Sequence, residues 1–233
     1  MQIIADPKKY TEKEQLYFEV RNKEGRIITD DLLRLLPYVP QDNPYKSEWN
    51  LRAKNFEKFT AHLKSKNKSL NILDIGCGNG WMTNRLNKEG YKITGLDLNM
   101  AELLQAEKVF GESDTLQWVY ADVMTDVLPS DKYDIILFSA SCQYFADVQQ
   151  LTNKVSEYLH TGGEIHVTDS IFYKNPADAK MRSLAYYTKL GYADMAAYYH
   201  HHSVKSLKDT GYKKIAPGFF EKSVLQWWMY IKE

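Results

Sequence analysis

Residues 70–81 read LNILDIGCGNGW, and this stretch decides the fold. LNILDI (70–75) is a compact apolar run of strand character, and it passes directly into glycines at 76, 78 and 80. WMTNRLNKEG follows as a short helix that Gly90 stops. Working outward, YKITGLDL (91–98) is the next strand and MAELLQAEKVFG (100–111) the next helix. TLQWVY (115–120) reads as a third strand, and YDIILFS (133–139) is nearly continuous apolar, as a strand buried on both faces should be. A helix around Asp147–Leu159 then leads into TGGEIHVTDS, a turn and a fifth strand. Strand–helix alternation at this spacing predicts an α/β fold, a parallel sheet with helices on both faces joined by right-handed crossovers.

The flanks have another texture. Ser47 is the expected N-cap of a helix reaching about Lys64, with Trp49, Phe56, Phe59 and Leu63 near one face. TDDLLRLL before it predicts a shorter helix, and PYVPQDNP a loop. Beyond the fifth strand, Pro176 opens a helix toward Leu190 with Gly191 as its stop, and VKSLKDTG makes one more. GYKKIAPGFF and SVLQWWMYIKE are then expected to pair as antiparallel strands. The resulting division is a helical cap over residues 1–66 and a main domain over 67–233, with 170–210 as a helical lid before the last two strands.

Composition bounds the function. The 233 residues carry 30 Lys+Arg and 30 Asp+Glu, which argues against a generally basic nucleic-acid binder. That zero is an average: residues 1–66 sum to +3, 67–175 to −7 and 176–233 to +4. Two cysteines, Cys77 and Cys142, make neither a disulfide framework nor a CxxC zinc pattern, so a reducing cytoplasm is the expected home. MQIIADPKKYTEKE lacks the apolar core of a signal peptide, and no apolar run approaches the roughly 18 residues that span a bilayer.

The glycine loop carries the chemistry. Glycines at 76, 78 and 80 let the chain turn sharply and bring backbone N–H groups close to a ligand. The spacing is GxGxG; a nicotinamide-type GxGxxG would need glycine at 81, where Trp81 stands. Asp97 ends the second strand, 21 positions beyond Gly76, where a carboxylate accepts from both hydroxyls of a ribose. Loop and acid together point to an adenosyl ligand.

LDIGCGNG followed by GLDLN resembles motif I and the acidic site after it in the class I S-adenosylmethionine-dependent methyltransferases. The likeness covers roughly residues 67–170 and, more loosely, the last two strands. It implies a Rossmann-like seven-stranded mixed sheet of order 3-2-1-4-5-7-6 with the last strand antiparallel, and S-adenosylmethionine as cofactor, released as S-adenosylhomocysteine. By the same resemblance Gly76, Cys77, Gly78 and the loop backbone face the methionine moiety, while Asp74 helps hold the cofactor amino group or the loop itself. Asp97, with Leu98 beside it, holds the ribose. Asp122 in YADVMTD accepts from the adenine amino group, with the Val123 amide next to it. SASCQYFAD (139–147), beginning at Ser139, lines the methyl-transfer channel. Many small-molecule members place histidine near Gln143, so the general base stays unassigned. Trp49 and Arg52 match the helix that covers the cofactor, Arg52 pairing with its carboxylate.

Substrate contacts are expected from the flanks. Tyr186, Tyr187, Tyr192, Tyr198, Tyr199 and Tyr212 suit a lid whose walls are apolar on the face and hydrogen-bonding at the tip. Gln143, Asp169, Tyr186, Tyr198 and Tyr199 are the substrate candidates. His200, His201 and Tyr144 are the catalytic candidates, a histidine serving as proton acceptor. No metal is expected, because three adjacent histidines cannot all face one ion. His166 reads as a packed core residue.

An in-line displacement from an activated sulfonium asks chiefly for alignment, so the predicted function is methyl transfer to a small molecule. The alternatives are a cofactor-binding protein without catalysis, a nucleic-acid or protein methyltransferase, and a dehydrogenase. An amino-directed nucleic-acid enzyme would place (N/D)PP(Y/F) after the fourth strand, where SASC stands; DNPY at 42–45 lacks the second proline. No basic cluster exceeds KSKNK at 64–68. The expected partner is therefore a neutral or mildly anionic small acceptor, neither nucleic acid nor membrane, with a homodimer left open.

Overall fold

The computed structural model describes residues 1–128, 132–215 and 225–233. Along the chain run β1 (Gln2–Ile3), α1 (Thr11–Lys23), α2 (Asp30–Leu35), α3 (Lys46–Ser65), β2 (Asn71–Ile75), α4 (Trp81–Lys88), β3 (Lys92–Asp97) and α5 (Met100–Phe110). They are followed by β4 (Leu116–Tyr120), β5 (Tyr133–Ser139), α6 (Val148–Ser156), β6 (Leu159–Ser170), α7 (Pro176–Leu190), α8 (Val204–Asp209), β7 (Lys213–Lys214) and β8 (Gln226–Ile231).

Among the described residues the sheet has eight strands in the order β1-β4-β3-β2-β5-β6-β8-β7. From β4 to β7 this is the expected order, with β8 antiparallel to both neighbours. The eighth strand is a correction. Gln2 and Ile3 pair in parallel with Val119 and Tyr120, using backbone groups whose side chains stay exposed, so no apolar pattern announced them. Within the central strands, alternation sends neighbouring residues to opposite layers. Ile72, Trp118 and Leu137 enter one buried cluster, and Leu73, Val119, Ile136 and Phe138 the other.

Three boundaries also moved. The long N-terminal helix starts at Lys46 with Tyr45 in the cap position and no side-chain cap, so Ser47 lies inside the first turn. The helix expected to reach Leu159 ends at Ser156, because Leu159 already pairs with Tyr133. Of the expected C-terminal strand pair, Lys213–Lys214 pairs with β8, while residues 216–224 lie outside the described residues. A further helix, α1, had no counterpart in the sequence reading.

The N-terminal flank shares its core with the sheet. Leu33 and Leu36 join the cluster of Ile72 and Trp118, and the Phe59 ring lies 5.0 Å from His166 and 6.0 Å from Trp227. α1 and the first turns of α3 line the pocket at the carboxyl ends of the strands, where open α/β sheets take ligands, and the rest of α3 runs back along β6 from Asn55 at Asp169 to His62 at Glu164. No helix among the described residues is long and apolar enough to cross a membrane.

Candidate active site

The loop between β2 and α4 is stitched to the end of β3. Gly76 and Cys77 donate to the Leu96 carbonyl at 2.7 and 3.1 Å, and the Gly78 amide donates to Asp97 Oδ2 at 2.7 Å. Gly76 sits at φ 71°, and a Cβ there would lie 2.4 Å from Ser141 Cβ, so only glycine lets the loop lie against the end of β5. Ser141 closes the contact by donating to the Ile75 carbonyl at 2.6 Å. Trp81, which replaces the last glycine of a dinucleotide fingerprint, packs on Trp49 and Phe56 at centroid distances of 5.7 and 6.1 Å.

Above the loop opens a cleft of about 1470 Å³, beyond the roughly 300–1,000 Å³ of an ordinary ligand pocket. Gly76, Cys77, Gly78, Asp97, Leu98, Asp122, Val123 and Ser139 form its floor, with Trp49 and Arg52 overhead from α3. Gln143, Tyr144, Asp169, Tyr186, Tyr198, Tyr199, His200 and His201 line its other half. The structure thus brings together every sequence-predicted site residue except Asp74. That carboxylate is buried beneath the loop, bonded to Thr83 Oγ1 at 2.7 Å, and does not reach the wall.

Electrostatics divide the cleft. On the floor, burial pushes the Asp97 carboxyl up to about 6 against the bond from the Gly78 amide. Burial, helped by the charge of Asp97, pushes Glu102 up to about 8 and, one layer down, Asp74 up to about 7. A positive charge bound beside these acids would favour their ionised forms. The backbone brought close at Gly76, with the Asp97 carboxylate beside it, fits a sulfonium cofactor bearing a ribose. Asp122 is more engaged than expected: Oδ1 accepts from the Met124 amide at 2.9 Å and Oδ2 from the Tyr10 hydroxyl at 3.0 Å. A carboxylate has about four acceptor sites, so capacity for an amino group remains.

The opposite half is aromatic and basic. β6 carries a bulge between Val167 and Ser170, and Asp169 inside it adopts φ 54°. This re-aims its carboxylate into the cleft, where it accepts from Asn55 Nδ2 at 2.6 Å and Ser139 Oγ at 3.3 Å. Tyr144 meets the rings of Tyr17 at 6.1 Å and Tyr199 at 5.9 Å. His201 stands between Tyr173 and Tyr199, and both of its ring nitrogens are buried without a hydrogen-bond partner. Burial, with nearby positive charge, lowers its proton affinity, so the imidazole is neutral at pH 7. His202 turns away to bond the Cys142 carbonyl at 3.2 Å. Of the expected lid tyrosines, Tyr192 joins a small cluster with Met195, and Tyr212 is buried against Thr152 at 3.0 Å.

Among the described residues, one group has the ligand types of a metal centre: His62, Glu164 and His166. Its hydrogen bonding argues otherwise. Trp227 Nε1, a donor only, bonds His166 Nδ1 at 3.0 Å, which leaves the ring proton on Nε2, 2.9 Å from Glu164 Oε2. An ion on Nε2 would set two N–H groups against each other. With His62 at 2.9 Å and Lys66 at 2.6 Å also on Glu164, the group pins α3 to β6, away from the cleft.

The cleft residues of α1, namely Lys13, Glu14, Tyr17, Phe18 and Arg21, were not anticipated from the sequence. Their helical spacing was the available signal, but the helix buries only Val20 and so has no apolar stripe. Glu102, on the floor from α5, was missed as well.

Comparison with known proteins agrees with this geometry. Residues 73–167 match a family described as a methyltransferase domain. Malonyl-[acyl-carrier protein] O-methyltransferase 1 of Ilyobacter polytropus is 32% identical over 111 residues, covering 47% of this chain and 41% of the relative. The ubiquinone biosynthesis O-methyltransferase of Rickettsia akari is 25% identical over 122 residues, covering 52% and 46%. These alignments span less than half the length of either relative. Among solved structures, magnesium protoporphyrin IX methyltransferase from Synechocystis PCC 6803 with bound S-adenosylhomocysteine superposes with a TM-score of 0.59 at 15% identity, covering 87% of this chain and 94% of that one. At that identity the likeness speaks for the fold.

Proposed function

We propose that this chain is a class I S-adenosylmethionine-dependent methyltransferase, a reading supported by the methyltransferase-domain match over residues 73–167 and the shared fold, and that it methylates a small molecule bound in the tyrosine-lined half of the cleft. One observation carries the reading. A single cleft of about 1470 Å³ runs from the Gly78–Asp97 floor to the wall of Tyr144, Tyr199 and His201, with room for a cofactor and an acceptor side by side. The names of the two curated relatives, both O-methyltransferases, favour an oxygen acceptor.

When bound, S-adenosylmethionine supplies a methyl group already activated on a sulfonium. The protein's share is alignment, worth roughly 7–11 kcal/mol when reacting atoms are well oriented, and removal of a proton from a hydroxyl acceptor. Asp97 would accept from the ribose, Asp122 and Val123 would meet the adenine edge, and Arg52 with Trp49 would cover the amino-acid end. Gln143, Tyr144 and Asp169 orient the acceptor. His201, neutral and unpartnered, takes its proton; His200, beside it on the cleft wall, is the second candidate.

Incubation with methyl-labelled S-adenosylmethionine and a fractionated metabolite extract tests this reading. Label should appear in a small-molecule fraction. Tight cofactor binding with no label transferred to any fraction would leave the protein a binding module; label in nucleic acid or protein would overturn the substrate class.

A further inference from the structure

Five charged side chains lining the cleft form one alternating ladder. Arg21 Nη1 pairs with Glu24 Oε2 at 2.9 Å, and Arg26 Nε approaches the same oxygen at 3.8 Å. Arg26 Nη2 pairs with Glu48 Oε2 at 2.9 Å, and Arg52 Nη2 with Glu48 Oε1 at 2.9 Å. Three guanidiniums against two carboxylates leave one positive charge in excess, and an arginine stands at each end. The Arg52 end overhangs the cofactor floor, where the cofactor's own carboxylate suits it. The Arg21 end lies in the other half, among Tyr17, Tyr144 and Tyr199.

We propose that Arg21 is an anion-recognition residue and that the acceptor is an aromatic anion, its acidic group on Arg21 and its ring among the tyrosines. The inference rests on the methyl-transfer reading of the cleft. A guanidinium has five N–H donors, and Arg21 spends one on Glu24 and one on the Tyr144 hydroxyl at 3.0 Å. Tyr144, accepting that bond, keeps its own O–H free to donate beside it, so donors of two kinds converge. The side chain is 28% exposed and open to the cleft. Glu24 does not cancel the charge, because Arg26 and the Tyr186 hydroxyl draw on the same carboxylate. Glu102, the other acid that senses Arg21, is pushed by burial up to about 8 and stays mostly protonated at neutral pH. Among the described residues, Arg182 on the same wall has no carboxylate partner. The Arg21 guanidinium also lies 5.0 Å from the Tyr17 ring centroid, which adds an aromatic face next to the charge.

Two dyes that differ by one acidic group test the assignment: 8-anilinonaphthalene-1-sulfonate and neutral N-phenyl-1-naphthylamine. Their fluorescence is titrated against the full chain saturated with S-adenosylhomocysteine. The sulfonate should bind at least about tenfold more tightly, the scale of a charge-assisted bond. Arg21→Gln should bring the two dyes within about twofold of each other, while Arg21→Lys keeps a clear preference for the anion. Arg52→Gln should weaken S-adenosylhomocysteine binding and leave the dye preference intact. Equal affinity of the dyes in the unmodified protein, or a preference that survives Arg21→Gln, overturns the assignment. Absence of S-adenosylhomocysteine binding overturns the underlying methyl-transfer reading and the assignment with it.

Discussion

The buried carboxylate of Asp74 accepts the Thr83 hydroxyl at 2.7 Å and serves the underside of the glycine loop. It ties the end of β2 to the first turn of α4, on either side of the segment that must approach a ligand closely. Family resemblance offered Asp74 two roles, holding the cofactor amino group or holding the loop, and its burial selects the second.

A pH dependence follows from that burial. Asp74 is raised from 3.8 to about 7, chiefly by desolvation, with the charge of Asp97 adding to it. A proton held more tightly in the folded state stabilises below the unfolded value of 3.8, and that contribution is lost as pH rises through about 7. Between pH 4 and 8 the unmodified protein should therefore lose on the order of 2–4 kcal/mol relative to Asp74→Asn, which does not titrate. Urea unfolding of both proteins across that range measures it; parallel curves would refute it.

Gly80 admits no side chain. At φ 72°, a Cβ would stand 2.4 Å from the Trp118 ring. Gly80→Ala should cost about 2–4 kcal/mol in urea unfolding, strain and overpacking together. Combined with Trp118→Phe, the loss should be smaller than the sum of the single losses, because both changes act on one contact.

The His62–Glu164–His166 group is structural. Burial alone would raise the Glu164 carboxyl, but bonds from His166, His62 and Lys66 outweigh it and hold it far below the usual range. Its contribution is present above about pH 4.5 and fades as pH falls. Glu164→Ala should lower stability by about 3 kcal/mol and leave S-adenosylhomocysteine affinity unchanged. Added zinc should not raise the melting temperature; a rise of several degrees that Glu164→Ala abolishes would restore the metal reading.

His201 predicts the pH profile of turnover. Its imidazole must be neutral to accept a proton, and its pKa lies below 6.5. Methyl transfer to the acceptor found by the labelling screen should be level above that pH and fall on the acid side. His201→Phe should lower turnover by about 10²–10⁴ without weakening S-adenosylhomocysteine binding. An unchanged rate and profile would move the role to His200 or to solvent.

What the sequence made legible was whatever burial imposes on it. YDIILFS coincides with β5 residue for residue, and Gly191 stops α7 where a left-handed C-cap was needed. The glycine loop and Asp97 were readable because close backbone approach leaves few residue types. Backbone-only features stayed hidden: β1 contributes hydrogen bonds and no pattern, and the bulge that turns Asp169 leaves no mark on TGGEIHVTDS. Arg21 was hidden for a further reason. Its helix faces a cleft and not a core, so TEKEQLYFEVRNK looks like a solvated stretch until the opposite wall is in place.

The most direct test of the central claim is a calorimetric titration with S-adenosylhomocysteine. One molecule should bind per chain, and Asp97→Ala should weaken it by about 10–100-fold, the loss expected when hydrogen bonds to a charged group are removed. No binding of S-adenosylhomocysteine or S-adenosylmethionine, or an affinity that Asp97→Ala leaves untouched, would contradict the account.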